Sequence, residues 1–268
     1  MVRVKRLIAI LSAAVILACL SSCSGLSDAN DTNGSNQHNV AAEDDKYPSP
    51  EESKWEESTN VTGARFDLTL REYTDEFNDM YNSLGGGSEE LDFNNWKLQK
   101  SGQYDENGVE YDYYYYADDK AVLTATVETV SGKLMNLGCG TTLSVFVDGS
   151  DARYQGIILN MTGIMACVAG GYAVDHVRFF SNMYVDTISN SNSSFWYNNC
   201  IYLLNIEEGE TDDTSTMLFR VVAAKESIEE DWNLIDYKTF LQNSTQSSAP
   251  GGQTATIATG IQGAEPDK

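Results

Sequence analysis

Apolar residues are concentrated in the middle of this 268-residue chain, and that distribution decides how much of it can fold. Residues 24 to about 62 are mostly Ser, Asp, Asn, Gly and Glu around Tyr47-Pro48-Ser49-Pro50, with almost no aliphatic side chains. Such a stretch buries too little apolar surface to offset the entropy of ordering it. From Asn243 onward the chain is again rich in Ser, Thr, Gln, Gly and Pro, including Pro250-Gly251-Gly252. The expected layout is a disordered tether over 23–62, one domain over 63–242 and a disordered tail over 243–268. Roughly 180 residues is an ordinary size for a single domain.

Residues 1–22 read as an export signal. Arg3, Lys5 and Arg6 form a basic start, and Leu7 to Leu20 is an apolar run of 14 residues. That is short of the roughly 20 needed to span a bilayer and suits a signal peptide. Leu20-Ser21-Ser22-Cys23 closes the run and resembles the lipobox of bacterial lipoproteins. The resemblance implies that Cys23 is acylated and becomes the mature N-terminus. It further implies a membrane partner through that lipid anchor and a location on the extracytoplasmic face of a bacterial cell membrane. The motif covers under a tenth of the chain and implies nothing about the folded part.

Charge narrows the partners. Loss of residues 1–22 removes three basic side chains, leaving 14 Lys plus Arg against 40 Asp plus Glu, roughly −26. So acidic a body repels nucleic acid and anionic headgroups, which fits a domain held off the membrane by a lipid and a spacer. Cys19 leaves with the signal and Cys23 is assigned to the lipid, so Cys139, Cys167 and Cys200 remain. One disulfide is open to them, but free thiols on apolar elements are the preferred reading, because a domain of this size needs no staple.

Within the domain, Thr69-Leu70-Arg71-Glu72 fits a capping box, and Leu70, Tyr73, Phe77, Met80, Tyr81 and Leu84 recur at helical spacing before Gly85-Gly86-Gly87. Four strands follow: one opening at Trp96, then Val109 to Ala117, Ala121 to Val130, and a long or bent Leu134 to Val147 in which Gly138 and Gly140 suggest a bulge. A helical hairpin is expected next, its first helix carrying Ile157 to Val168 and ending at Gly170-Gly171, its second running from Val174 to Ile188 with His176 on it. Phe195 to Ile206 and Thr216 to Ala224 read as two closing strands, and Ile228 to Leu241 as a segment docked on the body. The order predicts an α+β domain: an antiparallel sheet of about five or six strands with helices packed on one face. An internal echo of Phe77-Asn78-Asp79-Met80-Tyr81 in Phe180-Ser181-Asn182-Met183-Tyr184, each followed by a strand opening at Trp96 or Trp196, points to a duplicated helix-plus-sheet unit. Such a unit is similar in architecture to secreted β-lactamase-inhibitor-like domains, with no motif shared and no function carried over.

Catalytic signals are thin. The histidines are His38 in the tether and His176, no Gly-x-Ser-x-Gly elbow occurs, and no Cys or His spacing suits zinc. No cofactor is expected. Asp105-Glu106-Asn107-Gly108 and Glu207 to Asp213 gather oxygen ligands but lack calcium-loop spacing, and read as hairpin turns. The site hypothesis is aromatic. With Val109, Tyr111, Tyr113 and Tyr115 assigned to the helices, Tyr114 and Tyr116 fall on the opposite face beside Lys97, Gln99, Thr124 and Thr126. That face is either a platform for a protein or glycan, or tyrosines packed cross-strand or beneath the Ile228 to Leu241 segment. The expected function is a membrane-anchored lipoprotein with a non-catalytic domain that binds a protein or cell-wall glycan. The alternatives are a carboxylate-dependent extracytoplasmic hydrolase and a structural envelope spacer.

Overall fold

A computed structural model describes residues 47–85, 90–117, 121–147, 152–189, 194–207, 210 and 215–247. The export signal, Cys23, His38 and the tail beyond 247 lie outside the described residues, and so does most of the acidic loop Glu207 to Asp213.

The first helix forms as its local signals dictate. In α1 (Leu70–Ser83) the Thr69 hydroxyl accepts from the Glu72 amide while the Glu72 carboxylate accepts from the Thr69 amide, so two orphan donors are satisfied reciprocally. Leu70, Tyr73 and Phe77 are buried on one face. The helical hairpin is also present: α2 (Ser144–Val147) is a single turn, α3 (Ala152–Gly170) ends where Gly171 takes a positive φ of 74°, and α4 (Val177–Ser189) packs against α3. His176 lies in a 3-10 turn (Val174–His176) just ahead of α4 rather than on the helix.

The sheet is larger than expected and is mixed. A hairpin of β1 (Trp55–Glu57) and β2 (Ala64–Phe66) forms its own two-stranded sheet packed against an eight-stranded sheet of β3 (Lys97–Tyr104), β4 (Glu110–Ala117), β5 (Val122–Glu128), β6 (Leu134–Thr142), β7 (Ser194–Tyr197), β8 (Cys200–Glu207), β9 (Thr216–Ala223) and β10 (Ile235–Asp236). Its spatial order is β10-β7-β8-β9-β6-β5-β4-β3. Every pairing is antiparallel except the short parallel contact of β10 with β7. The α+β class stands, whereas the count of five or six strands fell short for two reasons. Asn198 and Asn199, at φ 45° and 60°, make a tight two-residue turn that splits Phe195 to Ile206 into β7 and β8. In addition, Ile235 and Asp236, expected within one docked segment, add a strand to the β7 edge before α6 (Tyr237–Ser247) begins.

The expected bulge at Gly138 and Gly140 is absent; the register slips instead between Thr126 and Val127. The glycines serve closeness. A Cβ on Gly140 would collide with the Met217 carbonyl, and one on Gly138 with the Thr124 hydroxyl and the Leu218 methyls, so both residues let β5, β6 and β9 approach. β6 and β9 form the seam between two meanders, β3 to β6 after α1 and β7 to β9 after α4.

One large core lies between the sheet and the helices. Leu123, Ala125, Leu137, Cys139, Tyr202 and Phe219 line the sheet side and meet Phe77, Ile164, Phe180 and Tyr184 from the helices. Cys139, Cys167 and Cys200 are buried free thiols, and burial pushes Cys200 up to about 12. A smaller cluster on the opposite face joins Trp196, Ile201 and Ala224 to Ile228, within the short helix α5 (Ser227–Asp231), and to Leu234 just after it. Trp96 and Trp196 therefore serve opposite faces, because Trp96 packs on Tyr116 in the main core.

The folded body also begins earlier than residue 63. Trp55 Nε1 donates to the Ala224 carbonyl at 3.1 Å, the Lys225 amide donates to the Thr62 carbonyl at 2.9 Å, and the Tyr197 hydroxyl donates to the Pro48 carbonyl at 2.6 Å. Residues 47–62, expected within the tether, are thus part of the domain. The reason is that a few aromatic side chains and backbone bonds anchor them, without any apolar periodicity.

Candidate functional site

The face of the sheet turned away from the main core is fixed by β5. Leu123, Ala125 and Val127 enter the core, so Thr124 and Thr126 point the other way. Their partners on β4 are Tyr115 and Tyr113, whereas Leu123 pairs with Tyr116 and Ala125 with Tyr114. The expected orientation of β4 is therefore reversed. Tyr116 is 4% exposed and tilts against Trp96 at 5.5 Å, and Tyr114 packs against the same core. The physical cause is the length of the β4–β5 connection: Ala117 pairs with Val122, and a one-residue change in such a loop would exchange the two faces of the whole strand.

The outer face follows from the same register. One row across the sheet runs Lys97, Tyr115, Thr124, Gly138, Arg220, Leu203. The next runs Lys100, Tyr113, Thr126, Asn136, Val222, Ile201. Of the residues expected at a binding face, Lys97, Thr124 and Thr126 share this surface. Gln99 is exposed at an irregularity of β3 between Leu98 and Lys100, outside the regular register. Tyr111, Tyr113 and Tyr115 take the place assigned to Tyr114 and Tyr116. Tyr113 and Tyr115 are half-buried and have no ring, hydrogen-bond or cationic partner among the described residues. The Ile228 and Leu234 segment packs on the Trp196 and Ile201 end with Leu203 and Val222, and among the described residues its cluster does not extend to the tyrosines.

Arg220 and Thr124 are the residues that sequence reasoning missed or undervalued. The Arg220 Nε is buried without a partner, and the Thr124 hydroxyl, on a residue 3% exposed, is likewise unpaired. Four other cations are ion-paired, Arg65 with Glu56 and Glu128, Lys54 with Glu76, Lys133 with Asp67 and Lys225 with Glu57, whereas Arg178 and Lys100, like Arg220, pair with no carboxylate among the described residues. Every outer-face position adjoining Arg220 is uncharged, including Leu218 and Val222 along β9, Gly138 and Leu203 across from it, and Asn136 and Asn205 on the diagonals. Alternation of Arg220 with Phe219 and Val221 in an apolar strand was the available signal.

Elsewhere some polar groups are bound internally, while the Tyr73 and Tyr202 hydroxyls, the Gln155 Oε1 and the His176 Nδ1 are also buried without a hydrogen-bond partner. The Asp105 carboxylate accepts from the amides of Val61, Asn107 and Val109, so this turn organises its own backbone. His176 lies edge-on to Tyr172 with its Nδ1 3.5 Å from Asp175. Burial raises the Asp186 carboxyl, which accepts from the Tyr237 hydroxyl at 2.7 Å. Among the described residues no group of His, Cys, Asp and Glu could hold a metal ion, and no helix is long and apolar enough to cross a membrane. Compared with protein-family models, with curated proteins and with solved structures, the chain finds no match.

Proposed function

We propose that this chain is a lipid-anchored binding protein of the bacterial envelope, held at the extracytoplasmic face through Cys23, whose outer sheet face takes a protein or cell-wall glycan without catalysis. The observation that carries the reading is that Tyr113 and Tyr115, half-buried on that face, have no side-chain partner among the described residues. Tyr113 and Tyr115 offer large, rigid, amphipathic contact area beside Thr126, Asn136 and Lys97, while Ile228 and Leu234 pack on the Trp196 and Ile201 end of the same face. The Leu20-Ser21-Ser22-Cys23 sequence supports the address, and the acidic body suits a domain kept clear of anionic headgroups. Buried Phe77 and Phe180, at matching places in the two echoing helices, support descent of the two halves from one duplicated unit.

The test compares the mature protein with a Tyr113→Ala, Tyr115→Ala variant in capture of purified wall glycan and of envelope proteins. A Tyr114→Ala variant, which opens the core, serves as the stability control. Loss of capture with the outer-face pair at unchanged melting temperature supports the reading, and equal capture removes it. Mass spectrometry of the native N-terminus checks the anchor, since an unmodified terminus beyond Ser24 would contradict it.

A further inference from the structure

Resting on the binding role just proposed, we infer that Arg220 and Thr124 form an oxyanion seat on the outer face, and that the ligand is a glycan bearing isolated carboxylates on an otherwise neutral chain. A guanidinium is always charged and presents a planar fork of donors matched to a carboxylate. Other cations also go without a carboxylate, but the Arg220 Nε is buried as well, and Arg220 has no ion pair or side-chain hydrogen bond among the described residues. Its ring of uncharged neighbours means that no internal carboxylate competes for it.

Thr124 is the second, independent observation. A buried hydroxyl without a partner is destabilising, and it persists here over Gly138, where a side chain would meet both the Thr124 hydroxyl and the Leu218 methyls, on the row that joins Thr124 to Arg220. The two residues are two strands apart, about 10 Å between backbones by the usual strand spacing, with Tyr115 one strand further on. A short oligosaccharide laid along this row would rest a ring on Tyr115 and bring a carboxylate to Arg220. The strongly negative net charge selects against a polyanion, because long-range repulsion grows with each added charge of the ligand while the seat neutralises a single one.

The probe is a soluble peptidoglycan fragment carrying free carboxylates, and the same fragment with those carboxylates amidated, titrated calorimetrically against the full mature protein. Glycerol-phosphate polymer provides a phosphate-bearing arm. The native protein should bind the carboxylated fragment at least about tenfold more tightly than the amidated one, as expected for a charge-assisted pair. Arg220→Gln should abolish the difference, with Arg220→Lys restoring only part of it. Thr124→Val should weaken binding of the carboxylated fragment while leaving the melting temperature unchanged or raising it. A merely structural hydroxyl would instead make that variant less stable. Equal affinity for both fragments, unaffected by Arg220→Gln, overturns the seat yet leaves a glycan-binding face standing. Binding of the phosphate polymer alone overturns the carboxylate assignment. No binding of any fragment overturns the glycan ligand, and the protein-partner form of the binding role is then judged by the capture experiment.

Discussion

At the scale of single residues, Glu128 is among the most heavily engaged charges of the described residues. Its carboxylate, 6% exposed, accepts from the Ser58 hydroxyl at 2.8 Å, from the Ser131 hydroxyl, and from the Arg65 guanidinium, which also pairs with Glu56. Burial alone would raise this group, but the bonds from Ser131 and Ser58 and the charge of Arg65 outweigh it and hold the carboxyl below the usual glutamate range. A depressed folded-state value means that Glu128 stabilises the fold fully above its unfolded value of about 4.3 and that this support is lost as pH falls through the folded value. Glu128→Gln should therefore cost about 1–3 kcal/mol at pH 7, with the gap to the native protein closing in acid. Urea denaturation at pH 7 and pH 3.5 checks this. A gap of the same size at both pH values would show that packing, not charge, sets the role of the residue.

At the scale of elements, legibility tracked how local the determinant was. The start of α1 could be read because Thr69 and Glu72 act on amides three residues away, and the α3–α4 hairpin because Gly170-Gly171 interrupts two apolar stripes. The β7–β8 hairpin was lost inside a longer run, although its cause is equally local. Asn198 and Asn199 both sit in the left-handed region that a type I′ turn demands, and Asn tolerates it better than other residues with a side chain. Asn198 is further fixed by its amide, which donates to the Tyr172 hydroxyl at 3.0 Å and to the Pro48 carbonyl at 3.3 Å. Asn199 is the cleaner position to test. Asn199→Val should cost about 1–3 kcal/mol, since a β-branched residue is strained at this φ, while Asn199→Gly should be close to neutral. Thermal melts of the two variants measure the difference directly, and indistinguishable melting temperatures would mean that the turn relaxes to another type.

At the scale of the whole molecule, two features lay beyond sequence periodicity for one shared reason: both depend on where distant segments meet. The outward face of β4 could not be read from the strand itself, because Tyr occupies both faces, and only the pairing of Tyr116 with Leu123 decides which set is buried. Likewise residues 47–62 look like tether because their attachment is made by Tyr47, Trp55 and a handful of backbone bonds rather than by an apolar stripe. Yet it touches both ends of the fold. The Pro48 carbonyl is held by Tyr197 and Asn198 at the β7–β8 turn, the Glu51 amide donates to the Gly171 carbonyl at the end of α3, and Trp55 and Thr62 bind Ala224 and Lys225 at the end of β9. Gly171 is adapted to the approach, since a Cβ there would collide with the Glu52 carbonyl. A chain beginning at residue 63 should consequently be less stable than one beginning at residue 46. The penalty is about 3–5 kcal/mol, the usual cost of removing a buried large aromatic together with its hydrogen bonds. For a domain of this length that corresponds to a melting temperature lower by about 10 °C. Hydrogen exchange should show the weakening first at the β7–β8 turn, at the end of α3 and at the end of β9, the three places from which the strap has been removed. Equal melting temperatures for the two chains would return residues 47–62 to the tether and leave Tyr197 and Gly171 without the partners that account for them.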